Sequence, residues 1–209
     1  MSSLTAIRVL CVDDHPVVRD GIALMLERED RLQLVATADR ACDAMAKFNA
    51  FRPDVTIMDL KLPDRSGIEV IEEIRRDHGK ARIIALTTYA GDVQASRALR
   101  AGAMGYLLKS SLRTELVDTI HAVHGGQRRI CPEVAANISE HITSESLTER
   151  EIEVLRALCL GHDNAGIASN LGISKGAVRG HVKCLYQKLH AHDRTHAITI
   201  AIQRGFIGL

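Results

Sequence analysis

The chain has 209 residues, 46% hydrophobic and 25% charged, with a formal net charge of +1. That length suits one large domain or two ordinary ones, and the balance excludes both a disordered chain and an overall basic one. The charge is unevenly placed. Residues 148–209 carry eight Lys and Arg against five Asp and Glu, whereas residues 1–125 carry 17 against 18, a modest pointer to a nucleic-acid face in the C-terminal part.

Strand-like apolar runs cover residues 7–13, 32–37, 55–59, 82–87 and 104–108, and helix-period segments cover 17–28, 40–48, 68–76, 93–100 and 112–124. Five such βα units, with strands apolar on both faces, predict a doubly wound α/β fold: a parallel sheet covered by helices on both sides. Ligands of such sheets bind at the carboxyl ends of the strands, beside the point where strand order reverses. Strand one ends in Asp13-Asp14, strand three in Asp59, strand four in Thr87-Thr88, and strand five runs through Tyr106 into Lys109. Pro63 and Gly67 break the chain just after Asp59, so Asp59 reads as a carboxylate at a buried strand tip. Crowded carboxylates raise one another's pKa unless a cation is present. A hard, oxygen-preferring ion such as Mg²⁺ fits, and it would also draw in a phosphate. Each residue alone has a plainer reading as a helix cap, a strand-end hydroxyl or a packed ring. Four fillers would not all fall on the tips that a parallel sheet brings together. His15, beside the acidic pair, reads as a solvated turn histidine.

Gly125-Gly126 stops the fifth helix, Cys131-Pro132 starts a short one that fades by His141, and Thr143-Ser144-Glu145-Ser146 is a polar connector. Thr148 and Glu151 then form a helix-start signature. That helix ends at Gly161, residues 164–171 form a short helix closed by Gly172, Ser174 caps a longer one to about His190, and residues 194–204 make a fourth. A short helix, a glycine turn and a longer amphipathic helix form the helix-turn-helix pattern, whose second helix enters the major groove. Val178, Val182, Leu185 and Leu189 give that helix a core face, and Arg179, His181, Lys183 and Lys188 lie off it.

Cys11, Cys42, Cys131, Cys159 and Cys184 contain no Cys-x-x-Cys and read as reduced core thiols of a cytosolic protein. The ten His residues suggest no structural zinc site. Neither a signal peptide at Met-Ser-Ser-Leu-Thr-Ala-Ile-Arg nor an apolar run long enough for a bilayer is expected.

Val12-Asp13-Asp14-His15-Pro16, Met58 to Gly67, Leu86-Thr87-Thr88-Tyr89 and Ala101 to Lys109 together resemble, in order, the four motifs of a response-regulator receiver domain. The resemblance implies a flavodoxin-like sheet in which Asp59 takes a phosphoryl group from a phosphohistidine of a sensor histidine kinase, with Lys109 and Thr87 assisting. It implies Mg²⁺ bound by Asp14, Asp59 and the Lys61 carbonyl, with Asp13 acting through water. Thr87 and Tyr106 would form the switch. Leu147 to Leu155, Ile167-Ala168, Leu171 to Ser174 and Ala177 to Val182 resemble the four-helix DNA-binding domain of the LuxR, NarL and FixJ families. This chain departs from the usual pattern at Ala165-Gly166, Ala177 and Gly180. The pair of resemblances implies a NarL/FixJ-type regulator.

The expected organisation is a receiver at 1–125, a partly helical linker at 126–146 and an all-α helix-turn-helix domain at 147–209. The expected function is transcription regulation switched by phosphorylation of Asp59, in the cytoplasm, with no membrane partner and no enzyme activity beyond the receiver's own phosphoryl chemistry. Double-stranded DNA would be met by Lys175, Arg179, Gly180, His181, Lys183 and Lys188 of a homodimer joined through 194–204, with RNA polymerase an open further partner. Two alternatives stand beside it. One is a phosphorylation-independent DNA binder that uses the receiver to dimerise. The other is a Mg²⁺-dependent phosphatase with an Asp nucleophile, disfavoured because Asp13 and Asp14 are adjacent and no inserted cap would enclose a substrate.

Overall fold

A computed structural model describes residues 6–141 and 145–207. The chain divides into two compact units, the first reaching Ala135 and the second comprising the chain from Ala136 onward together with Ala90–Gln94.

The first unit is built on one sheet of six strands: β1 (Ile7–Val12), β2 (Leu32–Ala38), β3 (Val55–Asp59), β4 (Ile83–Thr87), β5 (Gly105–Leu108) and β6 (Arg129–Ile130), in the order β2-β1-β3-β4-β5-β6. Every pairing is parallel. The order reverses at β1, so the tips of β1 and β3 border the crevice where a ligand of such a sheet binds. Helices α1 (Pro16–Leu26), α2 (Ala41–Phe51), α3 (Gly67–Asp77), α4 (Asp92–Ala101) and α5 (Leu112–His124) make the connections, α5 following a 3-10 turn at Lys109–Ser111.

Val9, Cys11, Ile57, Ile84, Leu86 and Leu107 pack with Ile22 and Leu26 of α1 and with Leu116, Ile120 and Val123 of α5. Strand residues of the opposite parity, Leu10, Val12, Met58, Ile83 and Ala85, are fully buried as well. Because strand side chains alternate, burial of both parities means that both faces of the sheet are covered.

The five expected strands all form, with ends within one residue of the expectation. The sixth, β6, was not expected. It pairs with β5 through Gly105↔Arg129 and Tyr106↔Ile130, so the first unit's sheet continues past residue 125, where the sequence suggested the domain would stop. Two residues are too few to carry a period. Helix α6 (Pro132–Glu140) follows within the expected linker, whereas Thr143 and Ser144 of the expected connector lie outside the described residues.

The second unit contains α7 (Glu149–Cys159), α8 (Asn164–Leu171), α9 (Lys175–Lys188) and α10 (Arg194–Arg204). Each start is capped by a side chain. Thr148 and Glu151 form a reciprocal capping box on α7, Asp163 accepts from the Gly166 N–H, Ser174 from the Ala177 N–H and Asp193 from the His196 N–H, leaving few orphan donors. Gly172 closes α8 in the left-handed region at φ 64°, which lets the chain turn sharply into α9. Val154, Leu158, Ile167, Ala168 and Val178 join α7, α8 and α9 in one core cluster, and Leu155, Leu185, Leu189, Ala197 and Ala201 join α7, α9 and α10 in another. Arg194 ties the start of α10 to the end of α7, its guanidinium donating to the carbonyls of Leu158 at 2.5 Å and His162 at 2.9 Å.

Candidate functional site

Parallel pairing of β1, β3, β4 and β5 carries Asp13, Asp59, Thr87 and Lys109 to the same end of the sheet. Asp59 is the last residue of β3 and only 2% exposed. Its Oδ1 accepts the Lys61 N–H at 3.0 Å and its Oδ2 accepts from Lys109 Nζ at 2.7 Å. The same ammonium lies 2.8 Å from Oδ2 of Asp13, whose side chain is wholly buried. Burial pushes the Asp59 carboxyl's pKa up, against the hydrogen bonds from Lys109 and the Lys61 N–H. Burial alone would lower the Lys109 pKa, and the bonds to Asp13 and Asp59 outweigh it, so the ammonium is held charged.

The loop after Asp59 is fixed from two sides. Gly67 packs so closely that a Cβ there would come within 1.9 Å of the Asp59 carbonyl oxygen, and its N–H donates to the Leu60 carbonyl at 3.0 Å. Asp64 reaches across to α2 and accepts from the N–H groups of Ala41 at 2.9 Å and Cys42 at 3.1 Å. Those backbone bonds at a helix start, the Ala41 one foremost, lower its pKa to about 2. The Lys61 backbone is thereby held beside Asp59.

Asp13, Asp14, His15 and Asp59 can each offer one ligand atom such that all four lie within 4.8 Å of one another, the one such group among the described residues. Asp13 Oδ2 and Asp14 Oδ1 are buried, and their partners are the cationic or basic groups of Lys109 and His15. Clustered oxygen donors of this kind fit a hard divalent cation. Beside them, Thr87 is 3% exposed. Its Oγ1 accepts the Tyr89 N–H at 3.3 Å, and the fully buried Tyr106 donates its hydroxyl to the Tyr89 carbonyl at 3.2 Å. Burial raises the Tyr106 pKa, which keeps the phenol neutral. Thr87 and Tyr106 are thus joined through one backbone segment.

In the second unit α8, the Gly172 turn and α9 form the helix-turn-helix. Val178 and Leu185 face the core, while Lys175, Arg179, Gly180 and Lys183 are exposed and His181 is half-buried. An open cleft beside α9 is lined by Asn164, Arg179, Lys183, Tyr186 and His190, a cationic surface.

Residues 9–121 match the family described as the response regulator receiver domain, and residues 145–201 match the luxR family of bacterial regulatory proteins. The chain belongs to the response regulators with a LuxR-type DNA-binding domain. The transcriptional regulatory protein YdfI of Bacillus subtilis is 35% identical to it over 208 residues, covering 96% of this chain and 97% of that protein. The response regulator protein VraR of Staphylococcus epidermidis is 33% identical, with 97% and 99% covered. The crystal structure of ChrA, the response regulator of a heme-sensing two-component system, superposes with a TM-score of 0.58 at 36% identity, covering 98% of this chain and all of that one. The regulator is therefore a DNA-binding transcription regulator of a two-component system.

One expectation for the regulator needs correcting, and two others gain detail. Lys188, expected at a DNA phosphate, donates to Glu151 Oε2 at 2.9 Å and to the Ser146 carbonyl at 3.2 Å, with its side chain 18% exposed. The partner lies in another helix, so no local spacing could have shown the pair. His15, expected as a solvated turn histidine, has a side chain 64% exposed, with its Nδ1 2.5 Å from Asp14 Oδ1 and 3.2 Å from Asp13 Oδ1. Cys42 and Cys184 are exposed rather than in the core. No helix among the described residues is long and apolar enough to cross a membrane.

Proposed function

We propose that phosphorylation of Asp59 by the phosphohistidine of a sensor histidine kinase controls the binding of α9 to DNA. The observation that carries this reading is the buried Asp59 carboxylate at the tip of β3, bonded to Lys109 and grouped with Asp13 and Asp14. Asp13, Asp14, Asp59 and the Lys61 carbonyl are the groups that would hold Mg²⁺, whose charge, when bound, would offset that of the incoming phosphoryl group. Asp59 Oδ attacks phosphorus in line with the histidine nitrogen that leaves, giving an acyl phosphate and a neutral imidazole. Lys109 neutralises the charge that an anionic nucleophile and an anionic phosphoryl group would otherwise oppose to each other. Thr87 donates its hydroxyl to a phosphoryl oxygen, and the Tyr89 segment carries that shift to Tyr106.

On DNA, Lys175, Arg179, Gly180, His181, Lys183 and Lys188 form the contact surface, with Arg179 and Lys183 reaching base edges or phosphates and Lys188 phosphate alone. A single helix-turn-helix makes few contacts, so a two-fold dimer joined through α10 reads paired half-sites. The regulator works in the cytoplasm, where it meets both kinase and DNA, and its chemistry is confined to its own Asp59. Labelling with a small phosphodonor tests the reading. The wild-type chain takes up one phosphoryl group and Asp59→Asn takes up none, whereas equal labelling of both would remove Asp59 from the role.

A further inference from the structure

We propose that His15 is an additional ligand of the cation in the acidic pocket, and that its imidazole makes the site bind Mn²⁺ and Co²⁺ in preference to Mg²⁺. The inference rests on the reading that Asp13, Asp14 and Asp59 hold a divalent ion, and it adds a nitrogen donor to an otherwise all-oxygen set.

The placement of the ring carries the argument. His15 occupies the N-cap position of α1, in extended backbone with Pro16 following, and its side chain makes no capping hydrogen bond. The ring instead turns back over the acids: Nδ1 is 2.5 Å from Asp14 Oδ1, 3.2 Å from Asp13 Oδ1 and 3.5 Å from Lys109 Nζ. The main chain holds it there, because the His15 N–H donates to Asp13 Oδ1 at 2.9 Å. One atom from each of Asp13, Asp14, His15 and Asp59 falls within 4.8 Å of the other three. Donors bound to one small ion at about 2.1 Å are roughly 3 to 4 Å from one another; Asp13 Oδ1 already lies 3.2 Å from Nδ1, whereas Asp14 Oδ1, at 2.5 Å in an ion-pair contact, has to draw back by a side-chain adjustment for the imidazole to join the set. The side chain is 64% exposed, so packing does not account for its orientation.

The consequence is one of donor chemistry. Mg²⁺ favours oxygen ligands and gains little from an imidazole, whereas affinity at a nitrogen donor rises from Mn²⁺ to Co²⁺. A histidine that merely oriented Asp14 by a hydrogen bond would strengthen every ion alike. A histidine that is itself a ligand strengthens the nitrogen-accepting ions selectively.

The test uses the full chain and its His15→Ala variant, each titrated calorimetrically with Mg²⁺, Mn²⁺ and Co²⁺ at one ionic strength. Pulsed electron paramagnetic resonance of the Mn²⁺-loaded proteins supplies the second readout. The expected result is a Co²⁺ affinity lower by about tenfold or more in the variant, Mg²⁺ affinity within about twofold of wild type, and a nitrogen hyperfine coupling that His15→Ala removes. An equal change for all three ions, or no nitrogen coupling in the wild type, overturns the inference while leaving the cation site standing. If the wild type binds none of the ions, the cation site itself is refuted and the inference with it.

Discussion

Asp59 sits under tension between burial and pairing, and that tension has a measurable sign. Its pKa is raised in the folded chain above the ordinary 3.8, so the folded state holds the proton more tightly than the unfolded one. Stability from this group is therefore complete below about pH 3.8 and is lost as the pH rises through the folded value. Without divalent cations, Asp59→Asn should melt at a higher temperature than wild type at pH 7, with the difference shrinking toward pH 4. Calorimetric scans across that range check it, and a pH-independent difference would contradict the assignment of burial as the dominant cause. Gly67 offers a second check, since Gly67→Ala would force a methyl group into the Asp59 carbonyl. It should cost about 2 kcal/mol or more in chemical denaturation. Asp13, Asp59, Thr87 and Lys109 were legible in sequence because each is a polar residue ending an apolar run. The orientation of the His15 ring was not, because adjacency to two acids does not say which way an imidazole turns. The Lys188–Glu151 pair was hidden for a related reason: the two residues are 37 positions apart.

Among the elements, α7 and α9 are joined by that Glu151–Lys188 pair, whose carboxylate also closes the α7 capping box. Burial opposes ionisation of Glu151, but the Thr148 N–H and the Lys188 ammonium prevail, and its pKa lies below 4.5. The pair's stabilisation is present above about pH 4.5 and is lost as the pH falls through the lower folded value. Glu151→Ala should destabilise the second unit at pH 7, because it removes both the carboxylate that closes the α7 capping box and the partner of Lys188. The penalty should fade in acid, and urea titrations at the two pH values measure it. Elsewhere on α9, a Cβ at Gly180 would meet nothing within 4 Å. Gly180→Ala should thus stabilise the helix by up to about 1 kcal/mol, and a destabilised variant would show a packing role that the structure lacks. The starts of helices with side-chain caps were readable to within a residue or so, as with Thr148 and Glu151. The strand β6 was not, because it exists only by pairing with β5.

For the whole molecule the central claim is a coupling: a phosphoryl group on the sheet of one unit alters how a helix of the other meets DNA. The phosphate adds roughly two negative charges at one strand tip, enough to reposition Thr87 and Tyr106 but too local to reach DNA itself. At the DNA surface, Arg179→Ala and Lys183→Ala should each reduce the salt dependence of binding by about one unit of the log–log slope where the lost contact is to phosphate. Unchanged affinity in both would move the interface off α9. The most direct test of the account is the affinity for genomic DNA fragments at fixed salt with Mg²⁺, measured with and without a small phosphodonor, for the wild-type chain and Asp59→Asn. The account predicts tighter binding on phosphorylation in the wild type alone, and the ratio gives the coupling free energy. Equal affinity in all these conditions would contradict it and leave the receiver as a module that does not govern DNA binding.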